Sequence, residues 1–582
     1  MTYDIKKAEL GREPLQAIKI TVGYCSLISG TAPCAATETG DDKCYNTRFT
    51  CNDPANFTDG GKTYTFCQAR SNLPIGENMI PSIVGGVSRA VTSITGGKGL
   101  GNRSTVKVTL NDHTWHDLDC DKYVSDRTYD PEDRGTYAGK WIARNPYFEG
   151  RSLEVLTGYI GSPFSWSDFK SEFYDISDVA GPTNGKWIVS GKDILSRTYG
   201  DKAKYPVASV GELLADIAIG ATAATLSPAG IGATDYPASG YISIGKEAIS
   251  YTRSGDVLTL TRAQWGTEAK AHSAGDTVQI APSWDGVNVL DVLEELLVTG
   301  AGIPAAYIPN GVGENWTEER DLWLAGSTVK TILMKPEAID KMIKELCQCY
   351  MFDAWADLEA QEIKIKALSP EPSGVTISTL TDNVNLVSGS VGIKKDSSQR
   401  ISEVQVWYGK GDYSEKNEPE QFGAVYAATD PNSAGADRYG RDQIKSILCR
   451  WFDDKGQAAK LAGRTIARFV ETPSIITFTV DAKDDTAFSL AQRVKIDSGS
   501  IQDTRGSNLV TAFQVTKITQ SDPGSAVKVE ALSSSFSGNY FFFAPAGTPD
   551  YASATEEQQA KYGYFSDATG LYPDGAAADK II

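Results

Sequence analysis

Four cysteines near the start of the chain, Cys25, Cys34, Cys44 and Cys51, are best placed by type and spacing to do chemistry. Eight residues separate the first two and six the last two, in text rich in Gly, Pro, Asn and Asp. Such text folds back as loops, so the two thiol pairs are able to deliver four sulfurs to one point. An all-thiolate set holds tetrahedral zinc or an iron–sulfur cluster, and sulfur suits both. The same residues also allow two disulfides, Cys25–Cys34 and Cys44–Cys51, or free thiols. Nine cysteines in 582 residues is an odd number and not a disulfide-dense scaffold. The opening MTYDIKKAELG is polar and lacks the apolar stretch of an export signal, so a reducing compartment is expected. Cys67 is close enough to substitute as a ligand, but the alternation of Tyr64 and Phe66 around it reads as a half-buried strand.

Other chemistry is sparse. The three histidines are His113, His116 and His272, which weakens any hydrolase built on an imidazole base. The segment NDHTWHDLDCD sets His113 and His116 among Asp112, Asp117, Asp119 and Asp121. On a helix the two imidazoles would suit a metal, yet the preceding TVKVTL alternates with period two, so the segment reads as a strand running into a polar loop. Its carboxylates are also the ones a glycan-active or other hydrolytic β-rich enzyme would pair, and that is the alternative functional reading. No nucleophile elbow, P-loop or HExxH motif occurs in the sequence. Gly96, Gly97 and Gly99 lack the following Lys-Ser/Thr and mark a turn.

The elements that must position these residues are mainly strands. A chain of 582 residues exceeds one hydrophobic core and divides into several domains. Residues 1–207 read as β with long excursions, including AIKITV and STVKVTL. Residues 208–281 form a module of short alternating strands with Gly and Ser-Gly turns. Residues 282–375 change to helical spacing over Val287–Val298 and from Pro336 to Tyr350, followed by the strand EIKIKA. On the second helix Cys347 and Cys349 fall on different faces, one expected in the core and the other at the surface. Residues 376–534 return to β around a helix at 454–471. The last segment, 535–582, spaces aromatics along Gly, Pro and Ala, and such rings need a surface to lie on. The candidate partner-binding residues there are Tyr540, Phe541, Phe542, Phe543, Tyr551, Tyr562, Tyr564 and Phe565. The formal charge of −18 argues against a phosphate-holding surface. No apolar run approaches the roughly 20 residues of a membrane helix.

The cysteine pair spacings resemble those of the iron–sulfur tail-tip protein of phage lambda. The text IGKEAISYTRSGDVLTLTRAQWGTEAKAHSAGDTV resembles a small β-module that recurs in phage virion proteins. The stretch AFSLAQRVKIDSGSIQD…NLVTAFQVTKITQ…AVKVEALSS resembles the closing strands of the second tube-like β-barrel of baseplate hubs, and the aromatic tail resembles their arms. The whole is similar to tail-tip or baseplate hubs of long-tailed, siphovirus-like bacteriophages.

That resemblance implies a mainly β fold with α/β parts: a first tube-like barrel with cysteine loops (1–207), an inserted small β domain (208–281), an α/β connecting domain (282–375), a second tube-like barrel (376–534) and an extended aromatic arm (535–582). It implies a non-enzymatic virion protein at the tail tip, assembled in the host cytoplasm and acting in genome ejection. Its expected partners are two further copies in a homotrimer, a distal tail or tail-tube protein above, and a central fibre or tip protein below. Genomic DNA would pass through the lumen without specific binding. It also favours a [4Fe–4S] cluster over zinc, or over no metal, at Cys25, Cys34, Cys44 and Cys51.

Overall fold

The computed structural model describes residues 3–7, 9, 11–70, 72–74, 76–94, 96, 99–201, 203–370, 377–429, 443–481, 488–519, 526–534 and 536, with short stretches at 542–543, 549–550, 553–555, 558 and 562–563. The fold is mainly β, as the alternation of the sequence predicts.

Seven strands make the first barrel: β1 (Pro14–Val22), β2 (Lys62–Gln68), β3 (Met79–Ala90), β4 (Thr105–Asn111), β5 (Ser152–Tyr159), β6 (Phe169–Thr183) and β7 (Lys186–Lys192). They close in the order β1-β2-β3-β4-β7-β6-β5, with β5 returning to β1. Every pairing is antiparallel except β2 with β3. Alternation decides what lies inside. On β4, Val106, Val108 and Leu110 are buried while Thr105 and Lys107 face out. They meet Ile18, Ile20, Phe66, Leu153, Val155 and Trp187 in one core, so the barrel is filled rather than hollow. The helix Tyr137–Arg144, capped by Thr136 accepting from the Gly139 N–H, packs on this core. Its Trp141 lies 5.5 Å from Trp187 and its Tyr137 lies 5.9 Å from Phe66, centroid to centroid. Sequence periodicity does not show this helix, because YAGKWIAR carries few aliphatic residues.

Residues 208–281 hold a six-stranded sheet with a core of its own, including Ile242, Ile244, Ile249, Tyr251 and Leu258. Its two ends meet: the Gln279 amide accepts from the Ser209 N–H at 3.0 Å and donates to the Val207 carbonyl at 3.0 Å. The module rests on the rest of the chain through Trp265 against Tyr413 and through Lys246–Glu415 at 2.6 Å.

A larger core joins the helices Val289–Glu295 and Ile339–Tyr350 and the hairpin of Phe352–Asp357 with Glu362–Ala367. The three-stranded sheet of Glu403–Lys410, Phe422–Thr429 and Ile444–Leu448, covered by the helix Lys455–Phe469, shares that core. The expected split of Cys347 and Cys349 between core and surface is corrected here. Both are buried, because the Ile339–Tyr350 helix is covered on more than one side.

The remaining strands form a six-stranded sheet in the order Thr379–Thr381, Arg493–Asp497, Thr511–Thr519, Val527–Ser533, Ser474–Val480 and Gly392–Lys395. It curls around Phe478, Val494, Phe513, Val515 and Val529 into a nearly closed barrel. Leu386 bridges toward both margins, pairing with Asp382 and Val480. Among the described residues no helix is long and apolar enough to cross a membrane.

Within the small module Glu247 is almost fully buried and binds Arg262 at 2.6 and 2.7 Å and His272 Nε2 at 2.8 Å. Burial alone would raise its carboxyl, but the Arg262 and His272 hydrogen bonds outweigh it and bring the pKa to about 2. A depressed carboxyl stabilises above its unfolded pKa, so this contribution is present above about pH 4.5 and is lost as pH falls toward 2. Glu247→Gln should therefore destabilise the module by about 2–3 kcal/mol at pH 7 and by much less at pH 3. Thermal melts at the two pH values check it, and equal losses at both would be the contrary result.

Candidate metal centre

The four cysteines lie on the long connection between β1 and β2, at the end of the first barrel. The connection has almost no apolar core, so its shape must come from polar contacts that satisfy its backbone. Some are made within the connection, and others come from a second segment, residues 117–130.

Arg127 supplies four of them. Its guanidinium donates to the carbonyls of Gly40, Asp41 and Lys43 at 3.0, 3.0 and 2.9 Å and to that of Cys44 at 3.2 Å. Its charge is met by Asp121 at 2.9 Å, and both side chains are fully buried. Tyr45, next to Cys44, meets two guanidiniums, Arg127 at 4.2 Å and Arg144 at 4.1 Å from its ring centroid. Its hydroxyl bonds that of Tyr129.

The other cysteines are tied in similar ways. The Cys25 carbonyl accepts from Lys122 Nζ at 2.8 Å and from the Asn46 amide at 3.2 Å, while the Cys25 N–H donates to the Asn46 carbonyl at 2.6 Å. Beside Cys34, the Ala35 N–H donates to Asp53 at 2.8 Å. Before Cys51, Thr50 Oγ1 accepts from the Tyr45 N–H at 3.1 Å.

Burial raises the Cys51 thiol, against the lowering effect of a hydrogen bond from the Asp53 backbone, and the thiols of Cys44, Cys25 and Cys34 raise it slightly further. Cys25 and Cys44 are buried, Cys34 and Cys51 half-buried, and all nine cysteines are free thiols. Among the described residues no three His, Cys, Asp or Glu side chains stand at metal-binding separation. The four thiols suit a thiophilic metal in kind, but as placed here they do not stand at the separation of ligands of one ion. Cys67 belongs elsewhere: it sits in a separate small core with Leu15, Ala17 and Leu156, and burial pushes its thiol up to about 11.

The carboxylates of NDHTWHDLDCD have structural partners. Asp117 pairs with Lys140 at 2.8 Å and Arg144 at 2.7 Å, Asp121 with Arg127, and Asp119 accepts from Trp115 Nε1 at 2.7 Å. Asp112 accepts the Ala138 N–H at 2.8 Å, at the start of the Tyr137–Arg144 helix. His113 stacks on Tyr137 and His116 on Trp115, so the two imidazoles lie against aromatic rings. Cys120, which carries no signal in the sequence spacing, lies beside Arg144, and burial pushes its thiol up to about 12.

Of the aromatic arm, the backbone of Phe542–Phe543 pairs in parallel with Tyr562–Gly563. Tyr540, Phe541, Tyr551, Tyr564 and Phe565 lie outside the described residues.

No protein-family model matches the chain, and no curated protein matches it in sequence. Among solved structures, the tail protein from Neisseria meningitidis MC58 is similar with a TM-score of 0.36 at 12% identity, over 74% of this chain and 88% of that one. The 43 kDa tail protein of prophage MuSo2 from Shewanella oneidensis gives 0.36 at 12% identity, over 77% and 94%. The prophage tail protein gp18 from Listeria monocytogenes EGD-e gives 0.29 at 8% identity, over 66% and 86%.

Proposed function

We propose that this chain is a structural component of a bacteriophage tail, the hub at the tail tip, and acts by assembly rather than by catalysis. The observation that carries the reading is two β-barrels in one chain, one closed and one nearly closed, each with a packed interior. Filled barrels are wall elements and leave no passage along their own axes. Three copies would present six barrels around a common lumen, which matches a hexameric tube above and a threefold tip below. The net charge of −18 suits a lumen that lets DNA slide past without holding it. The partners would be the distal tail or tail-tube protein and a central fibre or tip protein, with the arm from Tyr540 onward lying on a neighbouring subunit or on the fibre. Light scattering on the purified protein tests the ring: a trimer, or six-barrel rings with the tube protein by electron microscopy, is expected. A protein that stays monomeric at high concentration and binds no tube ring overturns the hub.

Cys25, Cys34, Cys44 and Cys51 would hold one [4Fe–4S] cluster, with zinc as the alternative metal. When bound, the group would cross-link loops that lack a core of their own. Anaerobic purification followed by metal analysis and an absorption spectrum checks it. Iron with sulfide and a broad visible absorption band is expected, and Cys34→Ser with Cys51→Ser should abolish both. Neither iron nor zinc in the wild-type protein is the contrary result.

The arm is tested separately. A chain ending at Ser537 should keep its barrels, with melting unchanged, but fail to build tips. Each buried Phe or Tyr contributes about 1.5–3 kcal/mol, and several together offset the cost of ordering an extended segment. Infectious particles assembled from the shortened chain would show the arm to be dispensable.

A further inference from the structure

We infer that Arg127 is the positioning residue of the four-cysteine site, and that its buried guanidinium shapes the loop carrying Cys44 and Cys51 before any metal enters. This rests on the four-cysteine metal reading and goes beyond it, because that reading gives the ordering of the loops to the metal.

The argument is one of donors and acceptors. The turn at 40–44 points the carbonyls of Gly40, Asp41, Lys43 and Cys44 inward, toward one point. Inward carbonyls need a donor, and one planar fork meets these four and both Asp121 oxygens, the two N–H groups of Nη1 being shared among three carbonyls. A lysine carries the same charge on a single atom and lacks that geometry. The clamp then extends to Tyr45, the residue following Cys44, whose ring has both Arg127 and Arg144 against it. Asp41 adds an outer tie, accepting from the Thr128 N–H at 2.7 Å. All these bonds run from the loop to residues 121–144 and none uses a cysteine sulfur. The thiol-bearing turn is therefore held by groups that remain when no metal is bound.

A second, weaker hold serves Cys25. Lys122 is exposed and reaches back to the Cys25 and Ser26 carbonyls at 2.8 and 3.4 Å. It acts on the first thiol loop only, which provides a control that leaves the buried pair intact.

Hydrogen exchange with the full-length chain, read by mass spectrometry on peptides covering 40–51 and on β1 as an internal reference, tests the inference. The comparison uses chelator-treated protein, protein loaded with ferrous iron and sulfide, and protein loaded with zinc. Wild-type 40–51 should be protected to a similar degree with and without metal. Cys44→Ser should keep the protection and lose the metal. Arg127→Lys should speed exchange of 40–51 at least tenfold, leave β1 unchanged and weaken metal binding by about 10- to 100-fold. Lys122→Gln, read on a further peptide covering 25–27, should loosen that stretch and leave 40–51 protected, and the wild-type comparison with and without metal keeps the test open should the Arg127 variant fail to fold.

If chelator alone frees 40–51 in the wild type, the metal is the staple and the inference fails while the metal reading stands. The inference fails in the same way if Arg127→Lys retains wild-type protection and metal affinity. If the wild type takes up neither iron nor zinc, the metal reading falls, and Arg127 with it as a positioning residue.

Discussion

The cysteine end of the molecule depends on one buried ion pair, Arg127 with Asp121. Taking both charges out of water costs several kcal/mol per ion, and their mutual attraction does not by itself repay that cost. The balance is made up by hydrogen bonds. The guanidinium meets four backbone carbonyls, and the second Asp121 oxygen accepts from the Tyr123 N–H at 2.9 Å as well as from Arg127. The pair converts a coreless connection into a defined surface. Removing either partner would strand the other in the interior, so the arrangement tolerates change at its rim far better than at its centre.

The barrel below imposes a complementary constraint. Its interior is packed with Phe66, Trp187, Leu153 and Val155 and covered by Tyr137 and Trp141. The 117–130 segment that carries Asp121 and Arg127 leads directly into the Tyr137–Arg144 helix. Asp117 draws that helix back through Lys140 and Arg144, while Arg144 also stacks on Tyr45. Barrel core, helix and cysteine turn are thereby joined in one continuous set of contacts.

Much of this was legible in the sequence, for reasons of periodicity. EIKIKA becomes the strand Glu362–Ala367, TVKVTL becomes β4, and the predicted helix at 454–471 is Lys455–Phe469. Each has a one-sided apolar pattern over enough residues to fix its type. The helix Tyr137–Arg144 was not legible, because its inward residues are aromatic and its length is two turns. The four cysteines stood out by their spacing, but what braces their connection did not: Arg127 meets Cys44 across 83 positions. Contacts that distant leave no local trace. The shared core of 401–469 with 289–368 was hidden in the same way, since Val404, Trp451 and Leu461 look locally like parts of whatever domain surrounds them.

The segment NDHTWHDLDCD shows how an acidic cluster resembles a catalytic one until its partners are known. Four carboxylates within ten residues suggest paired acid and base. In the fold they point different ways: one to a helix N-terminus, one to Lys140 and Arg144, one to an indole and one to Arg127. Two carboxylates work as acid and base only when both face a common space, and these four are held apart by the cations and N–H groups that bind them. The same segment also braces the cysteine turn, because Lys122 follows Asp121 and Arg127 lies six positions on, and both donate to backbone carbonyls of that connection. The acidic segment is thus best understood as the frame of the cysteine turn.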